Sequence, residues 1–519
     1  KSCPFFHLTS LNLDYNELTS LDASALPANL QTLSVAYNQL KKAPLRLIET
    51  MKDLVWVSLQ GNSIKDIPQH TFKTRKNLEK LDLSENAIEE LPNNLFNGSI
   101  TIRDLNLAFN NLKTLLPQTF RGLSVSRLYL PRNQLENLDD RAFVGIAVTH
   151  LKKLKFLYMS SNRIPSVDDS AFDSFAPSLK AISLSGNQLT SIPSGALRPC
   201  RKLLHLNLGY NQITDLNETN FEVWAGHLDT LVLRNNKIVH IPPHTFRNTP
   251  RLRELSLSFN KIVDVDLDAF VDLAECLQTS LSLDRNQIAN VASDAFLGLD
   301  KLQILDLSHN KISRLQSCQF KLRSLRVLRL SNNMIRSLAR DTFQDSQLEV
   351  LDMSYNSMVA LPSGALAAVG LTLRQLDMSH NAIEHLDMSM FLDVPLLTRL
   401  NVAFNRLTIL PDNVLASVGN LLDLNLGGNL LRSNYKELFH YVRKLRKLDL
   451  SSTGLKQVPP LPLPDLKVLC LSDNLINSVP KKYLQIFPKI RDLREIWQRL
   501  KAHTALFLST AVLPPTLAD

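Results

Sequence analysis

The chain is poor in cysteine, glycine and long apolar runs, and each shortage removes a class of protein. Five Cys in 519 residues are too few for a scaffold held together by disulfides. Fifteen Gly exclude collagen-like and Gly-rich disordered chains. No uninterrupted apolar stretch reaches the roughly 18 residues a membrane helix needs. Charge of one sign is not dominant either. The 58 Lys and Arg exceed the 49 Asp and Glu by nine, too dilute an excess over so long a chain to imply nucleic acid. Catalytic signatures are missing: there is no phosphate loop, no metal-spaced His/Cys cluster and no nucleophile elbow. The twelve His are dispersed. These shortages predict a non-enzymatic chain with no cofactor and no metal site. The sequence starts at Lys1, with no initiator Met and no charged-then-apolar leader, which suggests a piece of something longer.

What the chain has is an internal repeat. The frame Leu11-Asn12-Leu13-Asp14-Tyr15-Asn16 recurs at Leu81-Asp82-Leu83-Ser84-Glu85-Asn86 and at Leu305-Asp306-Leu307-Ser308-His309-Asn310. Its Asn stands at Asn16, Asn38, Asn62, Asn86, Asn110, Asn133, Asn162, Asn187, Asn211 and Asn236. It continues at Asn260, Asn286, Asn310, Asn333, Asn356, Asn381, Asn405, Asn429 and Asn474, with Thr453 in the slot between the last two. Nine of these nineteen spacings are 24 residues. Alternation within a short strand sends the paired leucines inward and their neighbours outward. An Asn at the following turn can donate through its amide and accept through its carbonyl, so stacked repeats should build an amide ladder. Thr453 cannot make all of those bonds, and its repeat should be weaker. A second spine follows about ten residues after the Asn, at Phe72, Phe96, Phe120, Phe143, Phe172, Phe221, Phe246, Phe270, Phe296, Phe320, Phe343 and Phe391. Core filling accounts for it. Ile67-Pro68, Leu91-Pro92, Ile192-Pro193 and Leu361-Pro362 make that side irregular, because Pro disfavours helix before it.

The pattern resembles the leucine-rich repeat family, in the form carried by secreted and cell-surface proteins. The resemblance implies an α/β solenoid of about 20 repeats, a curved horseshoe with a parallel sheet on the concave face and an irregular, short-helical convex side. The repeats should occupy residues 1–486. Beyond them Ile490, Leu493, Ile496, Trp497 and Leu500 recur at helical spacing, so residues 487–519 are expected to be an irregular helix and tail. Two sequons, at Asn97 and Asn217, fall on return segments and are the candidate glycosylation sites. Cys276 and Cys318 lie about two repeats apart, roughly 10 Å by strand spacing. A disulfide is therefore not expected between them. Cys3 and Cys200 lack evident partners, and Cys470 takes an outward strand position.

On such a fold recognition belongs to the outward strand residues. Most are Ser, Asp or Asn. The departures are Arg127, Tyr129 and Arg132 in one repeat and Phe156 and Tyr158 in the next. These are the candidate protein-binding residues, because Tyr and Arg are enriched at binding hot spots. They flank the longest interval, 29 residues between Asn133 and Asn162. Tyr15, Tyr37, Phe109, Tyr210, Phe259, Tyr355 and Phe404 precede ladder positions, where edge packing explains them. The run Arg443-Lys444-Leu445-Arg446-Lys447 reads as a solvated basic face, or one that attracts sulfated glycans or acidic lipid.

Tandem repeats without insert domains or Cys caps, interrupted at Asn434 to Tyr441 and Val458 to Pro464, are similar to the chaoptin family of insect photoreceptor surface proteins. That resemblance implies homophilic cell adhesion at the plasma membrane by a chain tethered to its outer face. The implied partner is protein, either itself or another surface protein, and a homo-oligomer is consistent with it. It carries over no catalytic or binding residue. Two alternatives stay open: the ligand-binding ectodomain of a Toll-like receptor, and a secreted leucine-rich repeat matrix protein.

Overall fold

The computed structural model describes residues 7–479 except 45–49, 70, 73–76, 94, 97–99, 139–142, 144–153 and 363. The helix expected from Ile490 to Leu500, Cys3, the Asn97 sequon and most of the interval from Val144 to Lys155 lie outside the described residues. Two compact units divide the chain, Lys1–Leu281 and Ser282–Asp519.

In the first unit, strands of three to six residues recur from Ser10–Asn12, Thr32–Ser34 and Trp56–Ser58 to Thr230–Val232 and Glu254–Ser256. Each pairs in parallel with the strands of the flanking repeats. The register aligns the central apolar residue throughout: Leu11 with Leu33, Leu33 with Val57, Leu105 with Leu128, Leu128 with Leu157. The second unit repeats the pattern from Ile304–Asp306 to Val468–Cys470, with Leu305 opposite Leu328 and Leu448 opposite Leu469. From Leu33 onward the central residues are buried, as are the apolar residues two positions on. The one-in, one-out pleat of the sequence is therefore the pleat of the sheet.

The amide ladder forms as expected. Asn62 donates Nδ2–H to Leu59 O at 3.1 Å in its own repeat and to Val35 O at 2.9 Å in the preceding one. Its Oδ1 accepts the Leu40 N–H at 3.0 Å. Asn211 does the same with Leu208 O, Leu184 O and Leu189 N. Asn110 and Asn429 are only 4% and 1% exposed. Such burial is tolerable only because the amide's partners are present. Asn16 is the exception. It is exposed and bonds only its own turn, to Leu13 O and Asp14 O.

Thr453 breaks the pattern in the way its chemistry dictates. Its hydroxyl donates to Leu450 O at 2.7 Å, within its own repeat. It offers nothing to Leu431, the residue an Asn Oδ1 would serve, whose N–H turns back onto Asn429 O at 2.9 Å. Asn474 compensates on the other side, accepting from Thr453 N and Leu455 N at 3.0 and 2.9 Å.

The return segments hold short helical turns, such as the four-residue α-helices Ser194–Leu197 and Tyr435–Leu438, so among the described residues the regular structure is mostly sheet with few helices. The Phe spine is buried and stacked. In the first unit the ring centroids of Phe72 and Phe96 are 5.2 Å apart, and those of Phe120 and Phe143 5.5 Å. In the second unit Phe296–Phe320 and Phe320–Phe343 are each 6.2 Å apart. After Phe143 an additional ring, Phe175, packs edge-on at 5.0 Å. Thr119 and Thr245, each just before a spine Phe, donate their hydroxyls to Leu116 O and Pro242 O three residues back. These bonds satisfy carbonyls of the irregular turn.

Candidate functional site

Outward strand ends show why Asp and Asn recur there. Each side-chain oxygen accepts the backbone N–H two residues on and so ends the strand in a tight turn. Asn106 accepts from Ala108 at 3.1 Å, Asp306 from Ser308 at 3.0 Å and Asp449 from Ser451 at 2.9 Å. These residues are committed to the backbone. Tyr129 and Tyr158 occupy the same positions without that duty, and their rings are available for other contacts.

The strand register places Arg127 opposite Phe156 and Tyr129 opposite Tyr158. The two tyrosine rings stack at 4.9 Å with planes 10° apart. The Arg127 guanidinium lies 5.4 Å from the Phe156 ring centroid and 3.2 Å from Asp104 Oδ1. All four candidates are half-buried. Burial, then the neighbouring Tyr158 and Asp104, raise the Tyr129 phenol above its ordinary value, while Arg127 lowers it. Tyr129 is thus neutral at physiological pH and can donate its hydroxyl.

Arg132 does not join them. It is exposed and lies 5.1 Å over the Phe109 ring, beyond the strand on the ladder edge. Sequence reading missed the residues that extend the patch. Asp104 pairs with Lys80 on one side and Arg127 on the other in the sheet register, and Lys80 with Trp56. Lys80 reaches Asp82 at 3.5 Å and sits 5.7 Å from the Trp56 ring. The signal was available, because these residues precede the central apolar residue of consecutive strands. Examined one at a time, however, they look like ordinary polar positions.

The residue before each ladder amide adopts a left-handed backbone, from Tyr15 (φ 57°) and Phe109 (55°) to His380 (53°) and Asp473 (54°). The aromatics there stack in short groups. Tyr15 and Tyr37 lie 4.7 Å apart in the first unit, and in the second His380 is sandwiched between Tyr355 at 3.9 Å and Phe404 at 4.4 Å. The stacks end on Gly61 and Gly428, where a Cβ would come within 2.4 Å of Tyr37 and 2.5 Å of Phe404.

Asn217 is exposed at the start of the turn Glu218–Phe221. Its Oδ1 accepts from the Thr219 N–H at 3.1 Å and hydroxyl at 2.6 Å. Cys200, Cys276, Cys318 and Cys470 carry thiols rather than disulfides. Burial pushes the Cys200 thiol up to about 12, which makes it a poor nucleophile. Among the described residues there is no cluster of metal-ligating side chains and no helix long and apolar enough to cross a membrane.

Parallel strands in register, an amide ladder and a stacked Phe spine define a repeat solenoid that presents side chains on its sheet face. Ten stretches, among them residues 6–64, 100–164, 279–335 and 395–455, match the leucine rich repeat family, and the chain belongs to it. Rat osteomodulin is 26% identical over 217 residues, 41% of this chain and 40% of that protein. Drosophila chaoptin is 32% identical over 132 residues, which is 21% of this chain but only 10% of chaoptin. The chain thus spans less than half the length of either relative, and the chaoptin likeness is partial. The likeness to osteomodulin extends further. In fold the chain is similar to Toll in its Drosophila complex with Spatzle, with a TM-score of 0.62 at 20% identity over 91% of this chain and 76% of that one.

Proposed function

We propose that this chain is an extracellular, non-enzymatic recognition module that mediates cell adhesion by binding a second copy of itself. The contact surface is the patch of Arg127, Tyr129, Phe156 and Tyr158. The observation that carries this reading is the stacked Tyr129–Tyr158 pair beside an Arg127 already seated between Asp104 and Phe156. Aromatic and Arg side chains held in place before binding lose little entropy on association. The patch carries both signs of charge, Lys80 and Arg127 with Asp82 and Asp104, so it can pair with its own copy across a two-fold axis. Kinship with surface and secreted proteins such as chaoptin and osteomodulin supports the extracellular setting. Asn217 is the glycan acceptor that goes with it, and Asn217→Gln should remove one glycan's mass from secreted protein.

Beads coated with the chain should clump. A Tyr158→Ala substitution should weaken self-association by about 30-fold or more, as for a hot-spot residue worth about 2 kcal/mol. Arg132→Ala, on the other edge, should leave association unchanged. Beads that stay dispersed, or an Arg132 effect equal to that of Tyr158, would overturn the reading. The longer match to osteomodulin favours a second one, a secreted matrix protein, for which dispersed beads are the expected result.

A further inference from the structure

The positive charge of the chain is concentrated. Residues 152–202 hold eight Lys and Arg against three Asp and Glu, and residues 432–467 hold the same, a combined excess of ten in a chain whose net excess is nine. In both stretches cations gather where the return segment turns into the strand. In the second unit Arg443, Lys444 and Arg446 precede the strand Lys447–Asp449, and Lys467 precedes Val468–Cys470. In the first unit Lys155 precedes Phe156–Tyr158 and Lys180 precedes Ala181–Ser183, with Arg201 and Lys202 at the following turn. All eight are exposed.

The register makes this arrangement costly. The Lys467 N–H donates to Arg446 O at 2.8 Å, and the Lys180 N–H to Lys155 O at 2.8 Å. Each pair therefore sets two like-charged residues side by side on backbone strands about 4.8 Å apart. Like charges opposite one another destabilise a sheet. At the same position elsewhere the chain does the reverse, pairing Arg253 with Asp229 at 3.5 Å and Arg326 with Glu349 at 3.7 Å. Beside Arg443, moreover, a shallow groove is lined by Leu461, Pro462, Leu463 and Pro464, a surface on which a sugar ring can rest.

We propose that these two basic strand-start edges, one in each unit, bind a sulfated polysaccharide. Rows of exposed cations gain most from a linear polyanion, which releases its condensed counterions on binding, and such a ligand relieves the repulsion within each row. The choice of polysaccharide over membrane rests on the extracellular setting proposed above, because anionic lipids concentrate on the cytoplasmic leaflet. It does not depend on self-adhesion.

The test is binding of the full chain to immobilised heparin. The chain should be retained at about 0.15 M salt, the physiological ionic strength. Replacing Arg443, Lys444, Arg446 and Lys467 with Ala should lower the slope of log affinity against log salt by about three, and replacing Lys155, Lys180, Arg201 and Lys202 should do the same. All eight replacements together should abolish retention, with the thermal unfolding transition no lower than that of the unmodified chain. Removing an equal charge at Lys65, Lys237, Lys261 and Lys311, exposed lysines one or three residues after ladder asparagines, should leave elution where it was. Hyaluronan, which carries carboxylates but no sulfate, should not retain the chain. Passage of the unmodified chain through heparin would overturn the proposal. So would a control set as damaging as the edge sets, equal retention on hyaluronan, or binding to phosphatidylserine vesicles without binding to heparin.

Discussion

The left-handed residue before each ladder amide is the least comfortable position in the repeat. An L side chain there costs about 1–2 kcal/mol, yet Gly fills the slot only at Gly61, Gly186 and Gly428. The backbone supplies the compensation. The Tyr15 N–H donates to Ala36 O at 2.9 Å, and the His380 N–H to Ala403 O at 2.9 Å. At Gly61 the side chain is absent for a further reason, the Tyr37 ring that occupies its place. Gly61→Ala should therefore destabilise the chain by about 1–3 kcal/mol in thermal unfolding, and Tyr37→Ser in the same chain should recover only the part due to the ring, leaving the left-handed backbone cost. Tyr435 makes a second prediction. Burial raises its phenol from 10.0 to about 12, with the nearby Thr453 hydroxyl acting in the opposite direction, and its buried oxygen finds no hydrogen bond of ordinary geometry. A phenol whose folded value is raised keeps its full stabilising contribution below pH 10 and loses it as the pH climbs towards 12. Tyr435→Phe should flatten that alkaline loss in urea titrations. At neutral pH it should also gain about 1 kcal/mol by removing the unsatisfied hydroxyl.

At the scale of the repeat, the ladder holds the turn and the strand register holds the sheet. Asn211→Leu would leave the carbonyls of Leu184 and Leu208 and the N–H of Leu189 without their side-chain partner. The expected cost is about 2–4 kcal/mol. Thr453→Asn should work the other way, restoring an acceptor for Leu431 and slowing amide exchange there. Both the ladder and its weak rung were legible in the sequence, because an Asn at fixed spacing has few structural meanings. The Phe spine was legible for the same reason. The left-handed slot was not. Tyr, Glu, Arg, His and Ser all occupy it, so no residue type marks it, and its conformation follows from the amide behind it. The strand-end Asp and Asn residues looked generic, and their role in closing the turn appeared only with the backbone in view.

At the scale of the molecule, a repeat solenoid is held mainly by contacts between neighbours. Unfolding should not be a single cooperative step. Amide exchange after Asn211→Leu should rise in the flanking repeats around Leu184 and Leu233, while Leu351 and Leu376 of the second unit keep their protection. The repeat itself gave no sign of the division at Leu281, since its frame runs through Asn260 and Asn286 without interruption. The candidate patch was partly legible. Arg127, Tyr129, Phe156 and Tyr158 stood out as departures from the repeat, and the register brings them together. Arg132 stood out for the same reason but belongs to another edge. Asp104, Lys80 and Trp56 became visible only through strand pairing.

The left-handed column has one further consequence. Its occupants face water, and the geometry beneath them is enforced from the rear by neighbouring backbone, so tyrosine, glutamate, arginine and histidine already share one template. Descendants of this chain can exchange those outward groups singly, acquiring new surface chemistry while the buried architecture stays fixed.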